Sequence, residues 1–229
     1  MIDWHSHILP GMDDGSRDVT ESLSLLKMLA EQGVDTVITT PHFYANNETL
    51  DGFLWRRTLT FETLSGSLPK DSPKVLLGAE VRYYQGISRM SDLKRLCIGD
   101  TKLLLLEMPM ERWTEYTVRE LEELSGAGSP KVILAHIDRY LSLQNEGVWE
   151  RLYQNGILMQ VNASFFTEFS TRRKALRLLR NGGIHFMGSD CHNTTSRPPR
   201  IGKAFEIIEK KLGVEFLEQI SEYGYSMLV

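Results

Sequence analysis

Short β-branched or leucine-rich runs alternate along the chain with longer stretches in which apolar residues recur every three or four positions. The short runs predict strands over Met1–Trp4, Thr36–Thr40, Val75–Ala79, Lys102–Leu106, Val132–Ala135, Ile157–Val161 and Ile184–Gly188. The longer stretches predict helices over Val19–Gln32, Leu50–Leu64, Glu115–Leu124, Val148–Asn155, Arg172–Arg180, Ile201–Leu212 and Glu215–Tyr223. In the first helix Leu23, Leu26 and Leu29–Ala30 share a face, and Gly33 suits its C-terminal cap. Lys102–Leu106 is nearly all leucine, as a strand buried on both faces requires. Seven β-α units in a row with short connections predict one domain over residues 1–229, an α/β fold with a parallel TIM-like barrel. An open doubly wound sheet is the alternative. No repeat or low-complexity linker interrupts the series, and Gly126–Pro130 reads as a turn.

Composition narrows the setting. Hydrophobic residues at 41% and charged residues at 24% supply a sizeable core and an ordinary surface. A net charge of −4 without a basic run gives no support for a nucleic-acid partner. Cys97 and Cys191 form neither a disulfide framework nor a paired metal motif, which suits a reducing cytoplasm. The charge and histidine pair within the first seven residues do not read as a signal peptide. No apolar run nears the roughly 18 residues that membrane insertion takes.

The chemistry lies just beyond the strands. His5 and His7 follow the first, His42 the second, Glu80 the third and Glu107 the fourth. His136 follows the fifth, and Asp190 and His192 follow the seventh. In a β/α barrel those strand ends converge on one rim, so five of the six histidines would meet there. Imidazole and carboxylate together suit divalent ions such as manganese, iron, zinc or magnesium. Bridged ions roughly 3.5–4 Å apart acidify water and clamp a phosphoryl group. Asp14, within Asp13-Asp14-Gly15, is close enough to the first strand to add an oxygen, although such a segment also makes a turn. Arg139 and Arg197 are candidates for two-pronged binding of phosphate oxygens. Asn193 is expected to hold a loop, and His185, well before its strand's end, to lie away from the metals. Trp4, Phe43, Tyr44, Trp113, Phe165 and Phe166 are aromatic candidates near the rim.

Six motifs in order carry a resemblance: His5-Ser6-His7, Asp13-Asp14-Gly15, Thr40-Pro41-His42, Gly78-Ala79-Glu80, Ala135-His136-Ile137-Asp138-Arg139 and Ser189-Asp190-Cys191-His192-Asn193. Together they resemble the PHP (polymerase and histidinol phosphatase) family, and within it the bacterial manganese-dependent protein-tyrosine phosphatases of capsule and exopolysaccharide operons. The resemblance runs from Met1 to about Phe205 and implies a distorted seven-stranded barrel with three divalent ions, manganese first among the possible metals. It implies that His5, His7, Glu80 and Asp190 hold one ion, Asp14, His42 and His192 a second, and Glu80, Glu107 and His136 a third. It also implies hydrolysis of phosphotyrosine in a protein, the expected partner being the tyrosine-rich tail of a bacterial tyrosine kinase that controls polysaccharide export. A small-metabolite phosphatase of the histidinol-phosphate type and a non-catalytic metal-binding regulator are the rivals.

One competing nucleophile is set aside. Cys191 and Arg197 have the Cys-x5-Arg spacing of thiolate phosphatases. The intervening His192–Ser196 has no glycine, Pro198-Pro199 disfavour a helix directly after the arginine, and Asp190 opposes a low thiol pKa. Cys191 is expected to point into packing.

Overall fold

The computed structural model describes residues 1–126 and 128–229. Its parallel strands are β1 (Ile2–Ser6), β2 (Thr36–Thr39), β3 (His42–Phe43), β4 (Lys74–Leu77), β5 (Glu80–Arg82), β6 (Leu103–Glu107), β7 (Lys131–Leu134), β8 (Leu158–Asn162) and β9 (Phe186–Gly188). Helices α1 (Val19–Glu31), α2 (Leu50–Ser65), α3 (Glu115–Leu124), α4 (Glu146–Gln154), α5 (Ser164–Thr167), α6 (Phe169–Arg180), α7 (Ile201–Leu212) and α8 (Val214–Ser226) complete it.

The ladders run β1-β2-β4 and β3-β5-β6-β7-β8-β9. Nine segments appear where seven strands are expected because two strands are broken. Pro41, which has no N–H to donate, separates β2 from β3, and Gly78-Ala79 separate β4 from β5. The Gly78 N–H to Thr39 carbonyl bond (2.8 Å) and the Glu80 N–H to Pro41 carbonyl bond (3.0 Å) carry the pairing across both breaks. The sheet curls until β9 approaches β1: the Asp190 N–H donates to the His5 carbonyl (2.8 Å) and the His7 N–H to the Cys191 carbonyl (2.9 Å). Asp3 stitches the same seam, accepting from the Ser189 N–H (2.7 Å) and hydroxyl (2.6 Å). Burial lifts the Asp3 carboxyl to about 6, against the lowering effect of the Ser189 bonds.

The sheet separates two apolar layers. Inside the curl lie Ile2, Trp4, Leu103, Leu105, Ile133 and Phe186, with Trp4 stacked on Phe186 at 3.9 Å between centroids. Outside, Leu104, Leu106, Val132 and Val161 pack against helix residues such as Leu25, Leu29, Leu121 and Leu179. The leucine strand β6 thus buries both its faces, each fully covered leucine contributing roughly 1.5–3 kcal/mol. Helix α1 ends in a Schellman turn: the Val34 N–H reaches the Leu29 carbonyl (3.1 Å), with Gly33 at φ +81°. Its buried face is Ser22, Leu25, Leu26 and Leu29, so it is rotated from the expected one and leaves Ala30 exposed. The third β-α unit departs further from expectation, since only two 3₁₀ turns (Ile87–Arg89 and Leu93–Leu96) join β5 to β6. Helix α8 lies on Ile2 and Trp4 through Gly224, and Met227 and Leu228 pack against the inner layer.

Candidate metal centre

Local backbone irregularities aim the rim side chains. Trp4 points into the inner layer, so strict alternation would turn His5 outward. A register shift in β1 between Asp3 and Ser6 inserts an extra residue and redirects His5 toward the centre. His136 (φ +33°) and Asp190 (φ +52°) are left-handed, a conformation that His and Asp tolerate better than most residues. Gly188 permits close strand approach: a Cβ there would meet the His5 Cβ at 2.4 Å and the His5 N at 2.8 Å. Gly15 does the same beneath His7, whose carbonyl oxygen a Cβ would meet at 2.2 Å.

Four histidines have Nδ1 held from behind. His5 Nδ1 faces Gln160 Oε1 (3.4 Å), and His7 Nδ1 donates to Asp13 Oδ2 (2.8 Å). His192 Nδ1 donates to the Asp190 carbonyl (3.0 Å). His136 Nδ1 lies 3.2 Å from the Tyr140 hydroxyl, whose own proton goes to the Met108 carbonyl (2.8 Å). That hydroxyl therefore accepts from His136. In each ring these acceptors hold a proton on Nδ1 and turn Nε2 toward the centre, the nitrogen a metal takes once any second proton has left.

The Nε2 atoms of His5 and His7 lie 3.1 Å apart and 3.2 and 3.3 Å from Glu80 Oε2. His136 Nε2 is 2.8 Å from Glu80 Oε1 and 3.8 Å from Glu107. His42 reaches Glu80 (2.9 Å) and Asp14 (3.4 Å), and His192 also reaches Asp14 (3.4 Å). Asp190 Oδ1 is 3.9 Å from His5 and 3.6 Å from His7. Donor atoms of His7, Asp14, His42 and His192 fall within 4.8 Å of one another, as do those of His5, His7 and Asp190, and those of His42, Glu80 and Glu107. All nine expected ligands therefore converge. The groupings differ in membership from the implied partition, with His7 and His42 each in two of them.

The donor set fits divalent cations. Buried carboxylates at this density are costly unless cations compensate them. Glu80 is about 1% exposed; burial would raise its pKa, but the positive His5 and bonds from His136 and His42 hold it well below the carboxylate range. Burial would likewise lower His7, yet Asp13 and Glu80 outweigh it and lift the ring to about 10. Burial and then Glu80 and Asp190 act in the same opposed way on His5, with a net rise. Among the described residues, four buried atoms of the cluster make no well-aligned hydrogen bond, although His42 Nδ1 lies 2.9 Å from Glu80 Oε2 and Glu107 Oε2 lies 2.8 Å from Arg82: His42 Nδ1, Glu80 Oε2, Glu107 Oε2 and His192 Nε2. Orphaned lone pairs aimed into one space are what metal ligation satisfies.

Guanidiniums rim the cluster. Arg139 is 2.5 Å from Asp190 Oδ2, and Arg197 is 2.9 Å from Asp190 Oδ1 and 3.7 Å from Asp14. Sequence reasoning missed Arg82, paired with Glu107 at 2.8 Å, and Asn162, which donates to Asp190 at 2.8 Å. Gln160, Tyr140 and Asp13 act through the histidines and escaped it too. Asp13 alone had a signal, the doubled aspartate of its motif. Of the six rim aromatics, only Tyr44 stands at a ligand, its ring 5.3 Å from that of His42. Trp4 fills the inner layer, while Phe43, Trp113, Phe165 and Phe166 are buried in the outer one, because packing claims large apolar rings first.

Cys191 is fully buried, and burial followed by the charge of Asp3 pushes its thiol pKa up, opposite to a nucleophile's need. Asn193 Oδ1 accepts from the N–H groups of Thr195 (3.0 Å), Ser196 (2.7 Å) and Arg197 (3.1 Å), holding the loop as expected. His185 stands apart, packed near Tyr153 and Tyr223, its Nδ1 accepting from the Met159 N–H at 3.0 Å.

The profile of the CpsB/CapC family, described as capsular polysaccharide synthesis, matches residues 1–227. The chain is 32% identical to the tyrosine-protein phosphatase YwqE of Bacillus subtilis, covering 100% of this chain and 91% of that protein. It is 30% identical to the tyrosine-protein phosphatase CpsB of Streptococcus agalactiae, covering 96% and 94%. Among solved structures it resembles a chain from the work on YwqE from Bacillus subtilis and CpsB from Streptococcus pneumoniae, described as metal-dependent tyrosine phosphatases. The TM-score there is 0.84, with 27% identity and coverage of 100% and 94%. The histidinol phosphate phosphatase of Lactococcus lactis shares the fold, with a TM-score of 0.59 at 16% identity and coverage of 91% and 92%.

Proposed function

Given that the chain belongs to the CpsB/CapC family of capsular polysaccharide synthesis, we propose that it is a metal-dependent protein-tyrosine phosphatase. The observation that carries this is the convergence of five histidines and four carboxylates, with orphaned buried donors, beside two arginines. In this reading His5, His7, Asp14, His42, Glu80, Glu107, His136, Asp190 and His192 hold three divalent ions, manganese foremost. When bound, such ions acidify water and offset phosphoryl charge. The protein's part is to present neutral Nε2 lone pairs, through the acceptors behind four rings, and to exclude competing ligands by burial.

Arg139 and Arg197 are the phosphate-orienting residues of this reading. Their side chains are 35% and 41% exposed, so each engages Asp190 on one side and keeps further N–H donors for phosphoryl oxygens. The Tyr44 ring, stacked on His42, offers an aromatic face beside the ions for the substrate ring. A tyrosine leaving group with a pKa of about 10 departs as phenolate without a dedicated acid. The substrate is a phosphotyrosine-bearing protein, the tyrosine-rich tail of a polysaccharide-export kinase fitting the family's setting. We further read residues 1–229 as a single cytoplasmic domain and the curled sheet as a distorted seven-stranded barrel, a reading supported by the β9–β1 hydrogen bonds. No described helix is long and apolar enough to cross a membrane.

The test compares turnover of a phosphotyrosyl peptide, histidinol phosphate and p-nitrophenyl phosphate, with manganese and with chelator. Manganese-dependent hydrolysis favouring the peptide is expected, with Glu80→Gln inactive. Preference for histidinol phosphate would make the protein a metabolite phosphatase. Absence of metal-dependent hydrolysis on all three would leave a binding regulator.

A further inference from the structure

We propose that Asp13 is a positioning residue of the metal centre: its carboxylate fixes the His7 tautomer and places His42 and Asp14 around the same ion. The inference rests on the metal-centre reading above. Asp13 Oδ2 accepts from His7 Nδ1 (2.8 Å) and from the His42 N–H (3.0 Å), while Oδ1 accepts from the Gly15 N–H (2.9 Å). One side chain, only 7% exposed, thereby ties β1 to β3 and sets the turn that carries Asp14. His7, Asp14 and His42 are three of the four members of one donor group, the fourth being His192.

Asp13 differs in kind from the other groups behind the histidines. Gln160, Tyr140 and the Asp190 carbonyl are neutral acceptors, whereas Asp13 brings a full negative charge. Among the described residues no arginine or lysine pairs with it, so His7 receives that charge undiluted. A carboxylate accepting from one imidazole nitrogen makes the other a stronger metal donor. The plainer account is a turn aspartate that caps the Gly15 N–H. That account uses Oδ1 alone and leaves both Oδ2 bonds without purpose.

Asp13→Asn separates the two accounts, because the amide oxygen can keep the turn bond while the amide nitrogen cannot accept from His7 or His42. Manganese titration of the purified full-length protein, with bound metal counted after dialysis, is expected to show one ion bound 10–100-fold more weakly in the variant. Activity lost at low manganese should return at high manganese. In zinc-loaded protein, the His7 Nδ1 proton should be downfield and slow to exchange in the wild type, held by Asp13, and shift upfield and exchange faster in the variant. Melting in chelator checks the fold, and Asp13→Ser, whose hydroxyl also serves the turn, gives the same comparison should Asn destabilise. Wild-type manganese affinity and an unchanged His7 Nδ1 proton signal in the variant would reduce Asp13 to a turn residue and overturn the proposal alone. A wild type that binds no manganese would overturn the centre and the proposal together.

Discussion

Gly188→Ala is the most direct probe of how fold and site are joined. An alanine methyl at this position would lie 2.4 Å from the His5 Cβ, 2.8 Å from the His5 N and 2.9 Å from Gln160 Nε2. Non-bonded carbons rest at about 3.5–4.0 Å, so β1 and β9 must separate by roughly 1 Å or more. Two of the three neighbours belong to the rigid part of His5, so a side-chain rotation gives no escape. Overpacking of this size costs about 1–3 kcal/mol, which in a chain of this length lowers Tm by about 2–12 °C. Displacing His5 by about 1 Å should also cost on the order of 10²-fold in kcat/KM. Thermal unfolding and manganese-dependent hydrolysis of p-nitrophenyl phosphate measure the two effects. Gly66→Ala is the control: its φ of −64° suits any residue, and a Cβ there meets nothing closer than 3.7 Å. Its stability should stay within about 0.5 kcal/mol of wild type. A Gly188→Ala protein with wild-type turnover would refute the coupling of the seam to His5, whatever its Tm.

Three further outcomes follow from the electrostatics. Asp13 and Glu80 lift His7 to about 10 against burial, so that ring is protonated in the metal-free chain at pH 7 and ions must displace its proton; His5 is shifted in the same direction by Glu80 and Asp190. Manganese affinity should therefore rise with pH up to about 10, with proton uptake by the buffer in calorimetry; pH-independent affinity between 6 and 8 would contradict the assignment. His185 is lowered to about 4, chiefly by burial and then by Lys131, and accepts the Met159 N–H only while Nδ1 is unprotonated. Its folded pKa lies below its unfolded value of about 6.5, so stability is full above about 6.5 and declines as pH falls toward 4. The loss is about 2 kcal/mol after discounting for partial exposure, and His185→Asn should flatten the urea midpoint over that range. Cys191→Ser should retain most of the activity, since its buried thiol has no path to substrate; loss of turnover with intact metal content would restore the thiolate mechanism.

Most of the architecture was legible because periodicity reports burial. The all-leucine run became a strand covered on both faces, and Gly33 became the left-handed cap of α1. What periodicity could not report was where a strand breaks. Pro41 and Gly78 each interrupt a strand, so the expected strands Thr36–Thr40 and Val75–Ala79 stop at the breaks, and the segments beyond them, β3 with His42 and β5 with Glu80, were not anticipated. The link from β5 to β6 gave no helical pattern, and the count of β-α units passed over that gap. Helix α1 was placed correctly but turned about its axis, because Leu25 and Leu26 together allow two neighbouring faces and only packing into the outer layer selects one.

The ligands were legible for a different reason: residue types with metal affinity recur at strand ends, and strand ends share a rim whatever the details of the sheet. The residues that aim those ligands carry no such signal. Gln160 sits in mid-strand, where an isolated glutamine reads as an outward polar residue, yet it is fully buried and accepts from the His136 N–H at 2.6 Å. Tyr140 follows His136 by four residues and looks like core, yet its hydroxyl decides which nitrogen of that histidine faces the ions. The β1 bulge is invisible as well, because it is a property of pairing with β2 and not of Trp4 or His5 alone. His-x-His on a regular strand would place both rings on one face at the cost of expelling Trp4 from the inner core. The bulge keeps Trp4 in the inner core and still delivers His5. The first pair of candidate ligands therefore depends on the same seam that closes β9 against β1, and the substitution that wedges Gly188 tests metal geometry and sheet closure in one molecule.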